Sequence, residues 1–383
     1  MERNTNTLYV LRFIAAIIVV LYHFAPPVVY KDLDFLIRNG GEAVNFFFFL
    51  SGFVMIISNT KNYFASDNNI FSKWNFYIKR IARIYPLYLF ALLTMLFFHY
   101  GIKSIDTPTV KYRLPFEILG VQRWFYSGSF NAPGWTISCE FFFYLFFPFI
   151  IFYMRKSMKR FTILVLTYFI ISVVITSILY YLTTQPLAPI AKQISNSLYK
   201  NPIFLISTFL FGMLCGKLYL ENKITFFRNR WNSRLSIILS VTAIFIIKYY
   251  MVLGILESGI LSPLYFVLVM AVTSFKKSET TIFNSGFFIF LGDISFGVYI
   301  LQAPVKVYYS YFITKIDITK VDNRYSFLFF VLTEIGIASI TYYIIEIPFK
   351  KMILNYYNKR KILVKGDNIF QNRETSEVID PIL

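Results

Sequence analysis

The chain is poor in the residues that build most soluble active sites. Of its 383 residues two are cysteine and two histidine, and charged side chains make up 15%, against about 25% in a soluble domain. Cys139 and Cys215 both lie inside apolar runs and share no metal-ligand spacing, so neither a disulfide framework nor a zinc site is expected and both read as packing residues. Acidic residues are the scarcer charge, 20 against 38 Lys and Arg, for a net +18. No separate basic domain carries that excess, which argues against nucleic acid as the partner. No fixed-period repeat and no cleavable signal peptide is recognised, the first apolar helix lacking a small-residue cleavage motif.

What the chain has instead is apolar length. Hydrophobic residues make up 57% and aromatics 20%. Stretches of about 20 apolar residues predict ten spans, at 8–29, 42–59, 82–100, 134–154, 161–182, 202–220, 235–253, 259–275, 286–309 and 326–349. Most of the 38 Lys and Arg fall in alternate connections, such as the 155–160 loop, 217–234 and the tail from Lys350. The positive-inside rule then places both termini in the cytoplasm. The expected fold is an all-α polytopic membrane bundle of about ten helices, with residues 1–350 as one transmembrane domain and 351–383 as a polar cytoplasmic tail. The longest outer loop, Gly101 to Pro133, would cover a site opening outward.

Ionisable residues inside such spans are costly and usually face a protein or water-filled interior. Arg12 and His23 share the first span, eleven residues and about 16 Å apart. Glu140 is expected level with His23, where a carboxylate would orient the imidazole and stabilise it once protonated. Arg80 and Arg83 share one helical face at the start of the third span, and their planar forks suit phosphate oxygens as well as lipid head groups. Gly40, Gly41 and Gly52 allow close backbone approach or room for a ligand. Lys248, Asp293 and Glu334 lie within or near spans with no partner visible in the sequence, and His99 sits at a span end without an evident role.

Taken in order, several segments resemble the membrane-bound acyltransferase family 3. They are Leu11-Arg12-Phe13-Ile14-Ala15-Ala16 through Val19-Val20 to His23, then Asn39-Gly40 with Val44, then Phe47-Phe48-Phe49-Leu50-Ser51-Gly52-Phe53. Arg80-Ile81-Ala82-Arg83-Ile84-Tyr85-Pro86, the Trp135 to Tyr144 segment with Glu140, the Leu291 to Tyr299 segment and Glu346-Ile347-Pro348 complete the resemblance. Gln302 departs from it, standing where relatives often carry a second histidine.

The resemblance implies an O-acyltransferase of the bacterial cytoplasmic membrane that modifies surface glycans. Its donor would be acyl-CoA, with acetyl-CoA expected and no metal, and its acceptor a hydroxyl of a surface polysaccharide or glycolipid. His23, Glu140 and Arg12 would be catalytic, Arg80 and Arg83 would hold the donor, and membrane lipid and a homo-oligomeric state would be compatible. The alternative is a polytopic exporter or flippase for a lipid-linked glycan, in which the buried charges gate passage without chemistry.

Overall fold

A computed structural model describes residues 5–37, 40–65, 71–101, 107–126, 128–186, 198, 200–250, 259–275, 277–315 and 323–360. Among them the regular structure is helical. The elements are α1 (Thr7–Phe24), α2 (Pro27–Ile37), α3 (Gly40–Ala65), α4 (Lys73–Gly101), α5 (Thr107–Leu119), α6 (Trp135–Lys156), α7 (Met158–Thr184), α8 (Pro202–Glu221), α9 (Arg230–Tyr250), α10 (Ser262–Val272) and α11 (Gly286–Lys315). The last helix, α12 (Asn323–Arg360), has a π-helical stretch at Tyr342–Glu346 and runs ten residues past Lys350.

Nine of these helices are long and apolar enough to cross a membrane, and each matches an expected span. The remaining expected span, 259–275, is helical only over the eleven residues of α10. At 1.5 Å per residue it covers about half of a bilayer's hydrocarbon, and Tyr265, Leu268, Val269, Met270 and Ala271 bury it against its neighbours. It behaves as an interior half-helix.

Two shifts of boundary matter for the site. The first helix stops at Phe24 because Pro26 cannot continue it and the residue before a proline is pushed out of the α region; Ala25 is extended, at φ −63° and ψ 128°. His23 therefore occupies the last turn of α1 and is exposed, whereas a helix running to residue 29 would have set it deeper. In contrast, α4 begins at Lys73, so Arg80 and Arg83 stand two turns inside a helix and not at its start.

The centre of the bundle is α3 against α8, and glycines let them touch backbone to backbone. A Cβ on Gly212 would lie 1.9 Å from the Phe49 carbonyl oxygen, and one on Gly52 would lie 2.1 Å from that of Phe209. Between membrane helices, where lipid is as apolar as Leu, such close packing is a main source of association. On the other side of α3, α1 packs against both α3 and α11. These contacts bring α1, α3, α4, α6 and α11 around one space.

Candidate active site

That space is a cavity with about 840 Å³ of empty volume, mouth included. Its walls hold Arg12 from α1, Ser51 from α3, Arg80 and Arg83 from α4, Glu140 from α6 and Ser295 from α11, set among Phe47, Phe48, Phe296 and Tyr299. Its lining, mostly apolar with a few convergent polar groups, is that of a small-molecule site.

The charges in it are arranged against one another. Glu140 Oε2 accepts a hydrogen bond from Ser51 Oγ at 3.3 Å, and the carboxylate is within electrostatic range of Arg80, Arg12 and Arg83. The Arg80 guanidinium lies 5.6 Å from the Phe76 ring and 6.0 Å from that of Tyr144, an aromatic bed that fixes its plane. Its Nε–H is buried without a hydrogen-bond acceptor among the described residues. A buried charged donor left unpaired is costly.

A second group of charges lies behind Arg12 and Arg83. Asp293 Oδ2 accepts from Tyr342 Oη at 3.2 Å, and Glu346 is buried near Arg83, Arg12, Asp293 and Lys350. Both α12 residues come from the π-helical stretch, which turns Tyr342 and Glu346 together toward α11. The approach is close: a Cβ on Gly297 would sit 3.5 Å from Glu346 Oε1 and 3.2 Å from the Ala338 Cβ.

Four of the five residues expected at the site thus meet in one cavity: Arg12, Arg80, Arg83 and Glu140. His23 is not on its wall; it stands in the last turn of α1, its ring centroid 5.0 Å from that of Tyr22 and 5.9 Å from that of Phe24. Glu140, expected level with His23, shares the arginine end instead.

Other polar residues of the spans find their surroundings. Lys248 Nζ is 3.6 Å from Glu42 Oε1, both side chains almost fully buried, and Tyr265 Oη donates to Glu42 Oε2 at 2.8 Å. Sequence reasoning left Lys248 unpaired because its partner lies on a helix far away in the chain. The Gln302 amide nitrogen donates to the Tyr299 carbonyl at 2.7 Å, while Glu334 is fully buried with neither carboxyl oxygen hydrogen-bonded. Gly40 packs on Tyr22. Cys139 and Cys215 are buried and free. Asn39 and the side chain of His99 lie outside the described residues. Among the described residues, no group of three or more His, Cys, Asp and Glu could hold a metal.

The loop between α4 and α6 is tied down by Glu117. Its carboxylate accepts from Ser129 Oγ at 2.6 Å, Phe130 N at 2.9 Å and Tyr126 Oη at 3.2 Å. Burial nevertheless pushes this carboxyl above the usual range, outweighing those bonds and nearby Arg113. Asn131 Nδ2, donating to the Ile300 carbonyl at 2.9 Å, fastens the end of the loop to α11.

Comparison with known proteins gives the family. An acyltransferase domain family matches residues 6–343, nearly the whole chain and every wall of the cavity. Acyltransferase MdmB of Streptomyces mycarofaciens is 35% identical over 150 residues, which cover 36% of this chain and 37% of that protein. The chain therefore spans well under half the length of that curated relative. No solved structure matches it. A polytopic helical bundle with an arginine-lined cavity, matched from its first helix to its last by one family, is a member of the acyltransferase 3 family of membrane acyltransferases.

Proposed function

We propose that the protein is an O-acyltransferase of the bacterial cytoplasmic membrane that moves an acyl group, acetyl in the simplest case, from cytoplasmic acyl-CoA to a sugar hydroxyl on the outer side. The observation that carries the reading is Arg80: a guanidinium with a buried, unpaired Nε–H on a cavity wall shared with Arg83 and Arg12. Planar cationic forks of this kind suit phosphate oxygens, which accept in pairs. The donor phosphates would rest on Arg80 and Arg83. Arg12 and Glu140 would line the path of the pantetheine arm.

His23 lies eleven residues along α1 from Arg12, about 16 Å by helix rise, and its exposure lets an acceptor reach it. In the proposed step the sugar oxygen attacks the thioester carbonyl, a C–O bond forms, the C–S bond breaks, and His23 carries the hydroxyl proton to the departing thiolate. Few sugar hydroxyls are ionised at neutral pH, so such a base contributes about 10²- to 10⁴-fold in rate. Transfer through an acylated His23 is the other chemical route. Rapid mixing with labelled acyl-CoA separates the two, because only the carrier route labels the protein before acceptor is added.

The test of the whole reading is release of free coenzyme A by the purified protein in the presence of acetyl-CoA and a surface glycan, with mass spectrometry of the glycan. His23→Ala should abolish both signals while the protein still inserts. Full acylation by that variant would remove His23 from the mechanism, and glycan movement without coenzyme A release would favour the exporter.

A further inference from the structure

The charges around the donor end of the cavity come within one of balancing without a ligand, four cationic groups against three anionic. Arg12, Arg80, Arg83 and Lys350 are cationic, Glu140, Asp293 and Glu346 anionic, and the electrostatic interactions link them into one cluster. A phosphorylated donor carries several negative charges into it. In a buried site of low effective dielectric that surplus is expensive unless a carboxylate leaves or is neutralised. Asp293 is held by Tyr342 and Glu140 by Ser51. Glu346 alone of the three has a buried oxygen, Oε1, with no hydrogen-bond donor.

We propose that Glu346 is a proton-coupled counter-ion of the donor site: it balances Arg83 and Arg12 while the site is free and takes one proton from water when the donor phosphates replace it. The proposal rests on the donor reading given above. The groups facing Glu346 are Arg12 from α1, Arg83 from α4, Asp293 from α11, and Lys350 on its own helix; Glu140 on α6 faces the same arginines from across the cavity. The π-helical stretch is what makes the arrangement available. It brings residue 346 against Gly297, where no side chain stands between the carboxylate and α11, and π segments of this kind recur at functional sites.

Glu346 acts here as a positioning residue, so its test reads protons and not turnover. Coenzyme A is titrated calorimetrically into the full-length detergent-purified protein at pH 7 in Tris and in PIPES, whose ionisation enthalpies differ widely. Wild type should take up about one proton more per coenzyme A bound than Glu346→Gln, whose neutral amide mimics the protonated carboxyl and keeps or improves affinity. Equal uptake in the two proteins, or a loss of uptake in Glu140→Gln with none in Glu346→Gln, overturns the proposal and leaves the donor site standing. Failure of wild type to bind coenzyme A at all refutes the donor site itself. If Glu346→Gln does not fold, wild-type affinity decides: it should fall by up to tenfold per unit rise in pH above neutrality, and a flat profile overturns the proposal.

Discussion

Replacing Lys248 with methionine tests the buried ion pair that ties α9 to α3 and, through Tyr265, to the half-helix α10. The pair is 3.6 Å apart and its side chains are 2% and 3% exposed. At an effective dielectric near 20, two unit charges at that separation attract by about 5 kcal/mol. Desolvation offsets much of this, so the net worth of the pair is small, but removing one partner strands the other. Lys248→Met takes this ion partner from Glu42, whose Oε2 also accepts from Tyr265 and Asn45. The expected cost is about 3–5 kcal/mol. Unfolding in mixed detergent micelles, followed by circular dichroism, measures it. The double variant Glu42→Gln with Lys248→Met should recover at least about 2 kcal/mol relative to the single variants summed, because it removes both charges together. A single variant as stable as wild type, or strictly additive variants, would refute the assignment of a coupled buried pair.

Three further outcomes follow from the geometry. Gly212→Val should prevent stable assembly of α3 and α8, since its Cβ alone would fall 1.9 Å from a backbone oxygen that cannot rotate away; normal detergent-resistant folding would contradict the close approach. Arg80→Lys keeps the charge and loses the fork, so the KM for acyl-CoA should rise about 10- to 100-fold, the value of a hydrogen bond to a charged group, with kcat less affected, as steady-state kinetics would show. Glu117 lies in the loop outside the spans, and burial raises its carboxyl above the ordinary 4.5. The folded state therefore binds its proton more tightly than the unfolded state does. Stability from this group is fully present below about 4.5 and is lost as pH rises through the folded value. Thermal unfolding between pH 4 and 7 should show that decline in wild type and a flatter profile in Glu117→Gln.

Much of the fold was legible because a bilayer leaves few options. Lipid satisfies no backbone group, so a span must be an apolar helix of about 20 residues, and nine of ten expected spans follow that rule. The exception, 259–275, is as apolar as the others; its helix starts only at Ser262, after Gly259 at φ 83° and with Pro263 in its first turn, and ends at Val272, packed on α3, α8 and α9. Arg12 and Glu140 stood out for the same reason, being ionisable residues inside expected spans, whereas Arg80 and Arg83, at an expected span boundary, stood out through the family resemblance. Their meeting was not legible.

By itself the sequence determined the class of protein, the rank of its helices along the chain and which polar residues lie in or near the spans, since each of these follows from local composition and periodicity. The tertiary structure decided which of those residues share a space. It set Glu140 on one cavity wall with the arginines and left His23 off it; it paired Lys248 with Glu42; and it turned Glu346 toward Arg83 through a π-helical stretch. Those placements depend on helix rotation, helix ends and glycine-permitted approach, and such quantities are fixed only when the helices pack against one another.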